Sequence, residues 1–488
     1  MKPRMHFDDV AWEKSSDIVD NWKYVLYAQD AWSKIGNFLS RQNKPRKDND
    51  FFPFKKDAFN TNLLMTFTDD SGAIMRFPSP GAVMFPEVKV RNEVAIMKFI
   101  LDQTPSKIPI PVPSISCWGQ QHESPANMGP FIIVDYIDHC GNMRDPLEFP
   151  DGKPGERPVL NPDISALRLE SLYSKLAQII LSLSTPTFDR IGSIKLDHDD
   201  GSTWKVSHRP LSYSMNEIVQ LGTLPQSKVP NIIHHTASSY FETLAELHLA
   251  HLIHQRNDAI ESEEDCRRKF IARYLFRKII QDPRLNSQWI FHEEGPFPLW
   301  CDDFRPENVL INKDEDIAAV IDWEFTYTAP VGFMHAPPWW LLIEKPEFWP
   351  RGLDDWCLEY DKRLQNFLNT LVCYEEEAIR TGRLVESQRI SGHMRDSWNS
   401  GDFWIMYAAR QNFAFDAIYW QKIDQRFFGA SGCLEVWDVW RERLDLLSSE
   451  EKKDMEKYVD MKVKEMETRI LAWEPGQYTL EHMAKMNV

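Results

Sequence analysis

The chain has 488 residues, 43% hydrophobic and 12% aromatic with 18 Trp, and a formal net charge of −17. Such a length spans roughly two to four folding units, and such a composition builds sizeable cores, which excludes a disordered low-aromatic polymer. The acidic balance argues against a dedicated nucleic-acid or anionic-membrane binder, because both need a basic face to neutralise phosphates.

The first segment reads as a separate leader. Val19 to Leu39 carries Trp22, Val25, Leu26, Trp32, Ile35 and Phe38 at helical spacing, which predicts a helix packed on the outside of the main body. The polar, basic RQNKPRKDND then breaks the pattern. Asn62–Phe67 and Ala73–Phe77 are β-patterned runs around a D-D-S-G turn and predict a hairpin. Pro78, Pro80 and Pro86 keep the next stretch non-helical. Val90, Val94, Met97 and Ile100 predict a helix over Lys89–Leu101. KIPIPVPSIS is held extended by its prolines, and GPFIIVDYI reads as a buried strand.

Beyond about residue 165 the patterns are mainly helical: Leu167–Leu183, Ser239–His254, Cys266–Ile280, Trp356–Ile379, Trp398–Trp420 and Glu450–Ala472. The one exception is a hairpin-like segment from Leu299 to Phe325. SEEDC and SSEEKKDMEK read as helix starts with capping signals. A small sheet followed by a large helical region predicts an α+β protein of two lobes with a cleft between them, where small-molecule sites tend to lie.

The segment that carries chemistry is LWCDDFRPENVLINKDEDIAAVIDWEFTYTAP, residues 299–330. VLIN and AAVID are short β-type runs around the turn NKDED. A hairpin there sets Asn308, before its first strand, beside Asp322, at the end of its second, with Asp303 a short loop upstream. Two carboxylates and an amide oxygen are hard ligands suited to Mg²⁺, which shares its remaining positions with nucleotide phosphates.

This segment resembles the catalytic loop and metal motif of the aminoglycoside phosphotransferase and choline kinase superfamily, which has the protein-kinase-like fold. The family's loop runs H-x-D-x-x-x-x-N and is followed by I-D-W/F-E; here C-D-D-F-R-P-E-N and I-D-W-E stand in their place. The resemblance implies that Asp303 orients or deprotonates an acceptor hydroxyl, and that Asn308 and Asp322 hold Mg²⁺ on the phosphates of ATP. It implies that Arg76 meets the α- and β-phosphates and pairs with Glu93 of the following helix, with Lys89 or Arg91 as alternative sources of the charge. It also implies that backbone groups of Asp135, Tyr136 and Ile137 bind adenine. The stretches STPTFDRIGSI and FTYTAPVGFMHAPPWWLLIEKPEFW are similar to fungal members, and the resemblance spans roughly residues 55–440.

The implied layout is an N-terminal helical extension (1–50), a small nucleotide-binding lobe (51–137), a helical catalytic and acceptor lobe (138–447) and a charged C-terminal helix and tail (448–488). The expected partner is a small-molecule acceptor with a hydroxyl, its pocket built from residues 330–440, with no nucleic acid and no membrane. Two departures from the family, Cys301 in place of its His and the glycine-free KKDAFNTN at the phosphate loop, motivate a second reading: a nucleotide-binding or regulatory protein without turnover. No activation segment ending in A-P-E follows Asp322, which disfavours protein phosphorylation.

His248, His251 and His254 step three apart around a helix with no Cys or carboxylate cluster to complete a shell, so they read as a packed face rather than a metal site. Trp339 and Trp340 read as core packing rather than a cation-stacking platform. Seven scattered cysteines without a CxxC pair, an N-terminus without an apolar signal core and no long apolar run lead us to expect a cytoplasmic protein.

Overall fold

The computed structural model describes residues 7–42, 50–53, 58–67, 69, 71–103, 109–152, 155–197 and 203–486. Most of the RQNKPRKDND break, the start of KKDAFNTN, Asp70 of the D-D-S-G turn, and Lys107 with Ile108 lie outside these residues.

The chain opens with two helices, α1 (Asp9–Leu26) and α2 (Gln29–Gln42), where the sequence pattern suggested one. The break falls at Tyr27, whose N–H still bonds back to Lys23 while the chain turns away. Five strands follow: β1 (Asp50–Pro53), β2 (Asn60–Thr66), β3 (Gly72–Pro78), β4 (Ile115–Gly119) and β5 (Phe131–Asp135), with α3 (Pro86–Asp102) between β3 and β4. They form one antiparallel sheet in the order β1-β2-β3-β5-β4. Pro86 begins α3 rather than preventing it, because a first-turn residue has no intrahelical N–H bond to lose.

Alternation divides the sheet into two faces. Leu63, Met65, Ala73, Met75, Phe77, Phe131 and Ile133 turn toward α1 and α2 and form a small separate core with Trp22, Leu26 and Ile35. The opposite face, with Arg76 and Ile132, meets α3 and the helical part. The expected α+β class, with a small β-rich part and a larger helical part, is the one observed.

In the helical part, Ala166–Ser184, Ala237–His254, Glu263–Gln281 and Leu353–Arg380 match their apolar patterns. Ser262 caps one of these helices through the Asp265 N–H, and Ser448 with Glu451 forms a capping box at Ser449–Met466. Two readings are corrected. The run Trp398–Trp420 is not one helix: Ser391–Ser400 and Asp402–Arg410 are separated by Gly401 at φ 84°, a left-handed conformation that ends the first helix. A second hairpin, Ser193–Asp197 with Thr203–His208, lies in a region read as helical.

The N-terminal helix and the C-terminal segment are fastened to the rest of the chain. The Asp8 carboxylate caps α1 through the Ala11 N–H at 3.0 Å and accepts from Asn257 N at 3.0 Å. Asn257 Nδ2 also donates to the Ile470 carbonyl at 2.8 Å, and Tyr478 Oη donates to the Pro78 carbonyl of β3 at 2.7 Å. Asp8 is fully buried, so removing it loses a helix cap and strands buried Asn257 donors. Asp8→Ala is therefore expected to cost about 2–4 kcal/mol in urea unfolding, and Asp8→Asn distinctly less.

Candidate functional site

The site is assembled from four stretches of chain. Strand Phe297–Cys301 delivers Asp302 and Asp303; a single 3₁₀ turn, Pro306–Asn308, follows; then Val309–Ile311 pairs with Ile317–Val320. The hairpin closes as expected: the Ile321 N–H donates to the Asn308 carbonyl at 2.9 Å, which puts Asp322 next to the Asn308 turn. Asp322 has φ 63°, a left-handed conformation that short polar side chains tolerate and most others avoid. The chain leaving β5 joins the same hairpin, because Gly141–Asn142 pairs with Leu310 and Ile311.

Asn308 is buried, and its Nδ2 donates to the Asp303 carbonyl at 2.8 Å and to Asp303 Oδ2 at 3.3 Å. Its amide nitrogen is thereby committed, and Oδ1, a hard oxygen, is left as the acceptor. Arg305 Nε stands 3.2 Å from Asp303 Oδ1. The Asp303 carboxyl is pushed up to about 6, chiefly by burial; Asp322 raises it further, while Arg305 and the Asn308 bond act against the rise.

Asp322 belongs to a buried ionic cluster. Arg76 Nη1 bonds Glu93 Oε1 at 2.8 Å, and its Nη2 bonds Asp322 Oδ1 at 2.6 Å. The Arg76–Glu93 pair expected from the sequence is thus present. Lys89 Nζ meets Glu324 Oε2 at 2.6 Å and also donates to Asn60 Oδ1, while Asn60 Nδ2 donates to Glu324 Oε2 at 3.0 Å. Lys89 therefore enters the cluster alongside Arg76, whereas Arg91 lies near His208 and Arg209 instead. Glu93, Asp322 and Glu324 each offer an oxygen within 4.8 Å of the others. The Glu93 and Glu324 side chains are 3% and 2% exposed and Asp322 is 17% exposed, so Asp322 is the carboxylate a cation reaches.

Asp135, Tyr136 and Ile137 stand where β5 runs out. The Asp135 and Tyr136 N–H groups donate to the Ser114 and Gly72 carbonyls at 3.0 and 2.9 Å, and the His139 ring contacts the Ile137 carbonyl at 2.8 Å. The described end of the expected phosphate loop is anchored by Phe59, whose ring meets Tyr213 and Phe325 edge-on at 5.2 and 5.5 Å.

Sequence reasoning passed over Glu324, Asn60 and Asp302. Glu324 stands in I-D-W-E and was legible there; the other two are defined by partners far away in the chain. Buried Asp302 accepts from Trp300 Nε1 at 2.6 Å and Tyr213 N at 3.2 Å, with Arg410 Nη1 3.8 Å away. Residues of the 330–440 stretch, among them Trp339, Tyr407 and Arg410, line a cavity of about 40 Å³ behind the loop. That space suits water and is too small for an organic acceptor. Trp340 is 2% exposed and packs on Phe304 and Phe367, as core. His248 and His251 are buried and held below the usual imidazole range, chiefly by burial, as a packed helix face.

No family model and no curated protein matches the chain. Among solved structures it is similar to a macrolide 2'-phosphotransferase type I, at 12% identity over 83% of this chain and 98% of that one, with a TM-score of 0.35. It is similar to an ethanolamine kinase of Plasmodium vivax, at 11% identity over 91% and 96% of the two chains, with a TM-score of 0.41. It is also similar to a choline kinase from Cryptosporidium parvum, at 11% identity over 88% and 98%, with a TM-score of 0.37. Likenesses at this level assign neither activity nor acceptor.

The raised Asp303 carboxyl makes its ionisation costlier in the folded chain than in the unfolded one. Stability tied to this group is thus present below about pH 4 and is lost as pH rises through about 6. In EDTA, Asp303→Asn is expected to be more stable than wild type at pH 7.5, by up to about 3 kcal/mol, and the gap should close toward pH 4. Denaturant unfolding at the two pH values checks this.

Proposed function

We propose that the protein is a phosphotransferase of the protein-kinase-like fold that moves the γ-phosphate of ATP to a hydroxyl of a small molecule. The observation that carries this is the convergence of Asp303, Asn308 and Asp322 on one hairpin, with Arg76 and Glu93 paired against Asp322. In this reading Asn308 Oδ1 and the Asp322 carboxylate hold Mg²⁺, and the oxygen-rich donor set fits that ion. Bound there, the ion neutralises phosphate charge during transfer.

The remaining work falls to the chain itself. Asp303 takes the proton of the acceptor hydroxyl, and Asn308 and Arg305 fix the orientation of its carboxylate. Arg76, aimed by Glu93, offers its guanidinium to the phosphates. Asp322 accepts from Arg76 at 2.6 Å, and its carboxylate would be the one to hold the ion. Backbone groups of 135–137 take the adenine in the same reading. The division at 1–50, 51–137, 138–447 and 448–488 is proposed with it. Among the described residues no helix is long and apolar enough to cross a membrane, and all seven cysteines are unpaired, which supports a reducing, cytoplasmic setting.

Calorimetry and a coupled assay over a panel of hydroxyl acceptors test the assignment. Asp322→Ala is expected to lose most Mg²⁺-dependent ATP affinity, and Asp303→Asn to keep that affinity while turnover falls by about 10²–10⁴-fold. Unchanged affinity in Asp322→Ala would overturn the metal assignment. Stabilisation by ATP–Mg²⁺ without turnover on any acceptor would make the chain a nucleotide-binding protein instead.

A further inference from the structure

A second concavity, of about 450 Å³, lies in the helical part and shares no lining residue with Asp303, Asn308 or Asp322. It is formed by the segment around 288–292 and the helices Val331–His335, Ser391–Ser400 and Asp402–Arg410. Its volume is that of a small-molecule site. Helix Val331–His335 separates it from the small cavity behind the catalytic loop: Met334 lines that cavity, and Gly332 and His335 line this one.

Three imidazoles, His292, His335 and His393, surround it. The His335 and His393 rings are stacked at 4.2 Å and 12°, and His292 meets His335 edge-on at 6.2 Å. None of the three is hydrogen-bonded to another described residue. Two further lining groups are buried polar atoms without a partner: Trp289 Nε1, on a residue 1% exposed, and Ser397 Oγ, on a residue 6% exposed. Three imidazoles with no hydrogen-bond partner among the described residues, set around a concavity of small-molecule size, point to an occupant.

The chemistry of the lining selects its class. Nearly parallel stacked rings direct their nitrogen lone pairs side by side rather than onto one ion, which disfavours a metal. The group of oxygens and nitrogens close enough for a cation among the described residues is Glu93, Asp322 and Glu324, not these imidazoles. An anion is disfavoured too, because no Lys or Arg lines the pocket while Asp396 and Asp402 do. Burial holds the His335 imidazole down to about 3, so it remains a neutral ring with one donor and one acceptor. The imidazoles offer ring donors and acceptors, the stacked pair a flat wall, and Asp396 a carboxylate.

We infer that this pocket binds a flat, uncharged or weakly basic nitrogen heterocycle. Its ring lies against His335 and His393, its nitrogens meet the imidazole edges, and any N–H edge faces Asp396. The site is independent of the phosphotransfer reading, and its test does not involve ATP.

The test is titration of the full chain with benzimidazole, and with benzoate as an anion of similar size, followed by saturation-transfer NMR. Benzimidazole is expected to bind about ten-fold or more tightly than benzoate. Ser397→Trp, which fills the floor, should weaken it by about ten-fold or more, and so should the rim variant His393→Ala, which leaves the fold intact because His393 is exposed. Asp303→Asn should leave binding unchanged. Equal or tighter binding of benzoate, binding indifferent to both pocket variants, or no benzimidazole binding at all would each overturn the inference. So would saturable Zn²⁺ binding that is lost in His393→Ala.

Discussion

Arg76 joins three parts of this structure through one guanidinium. Its two terminal nitrogens bond Glu93 on α3 and Asp322 just after the Val309–Val320 hairpin, so one guanidinium fastens the sheet, the helix beneath it and the helical part to one another. Lys89 repeats the arrangement one layer over, joining α3 to Glu324 and to Asn60 of β2. Among the described residues three carboxylates then face two cations, all of them buried except the partly exposed Asp322. Deleting one partner of such a set leaves a buried charge uncompensated, which is far costlier than never having built the set. The planar fork of arginine suits a position that must address two carboxylates at once; a lysine would address them as a single point charge.

The hairpin supplies what the cluster cannot. Asp303, Asn308 and Asp322 are spread along the chain, yet the Ile321 N–H on the Asn308 carbonyl and the Asn308 amide on Asp303 bring all three to one end of a short ladder. The left-handed backbone at Asp322 then turns its carboxylate out of the strand direction and toward Arg76. The same ladder accepts Gly141–Asn142 as its third strand, so the connection out of β5 is held against the loop that carries Asp303. On the proposed function, adenine and phosphate contacts are thereby set by one continuous piece of hydrogen-bonded backbone.

Local signals were enough to find these parts, because alternation, turn residues and the D-x-x-x-x-N…I-D-W-E spacing each act over a few residues. Arg76 and Glu93 were found as a pair because the resemblance supplied the register between strand and helix. Asn60, Lys89 and Glu324 form a set only through tertiary contact, and nothing near Asn60 in the sequence announces Glu324 as its partner. The run Trp398–Trp420 breaks at Gly401 and again between Arg410 and Phe415, short interruptions in an apolar pattern that periodicity averages away. The hairpin Ser193–Asp197 with Thr203–His208 was legible, since Ile194 and Leu196 alternate with polar residues, but its neighbours' helical pattern dominated the reading. The pocket lined by His335 and His393 could not be read at all, because its walls come from separate helices.

Cys301 stands where the loop that this segment resembles carries His. It lies 6% exposed at the end of its strand and is paired in register with Thr326. The next residue's N–H donates to the Phe325 carbonyl at 3.1 Å, and the Phe304 N–H closes back onto Cys301 at 3.2 Å. The loop that presents Asp303 is therefore braced by main-chain bonds on both sides of the cysteine, and a ring at this position is not needed to hold it. Burial pushes the thiol far above its ordinary range, so Cys301 stays neutral and brings no charge to the site. The side chains left to set the Asp303 carboxyl are Arg305 and Asn308, which stabilise its ionised form, and Asp322 and Glu307, which oppose it. Of these, Asp322 is the one proposed to hold the cation. On the proposed function, filling the metal site therefore lowers the Asp303 carboxyl toward the ionised state in which it accepts a proton.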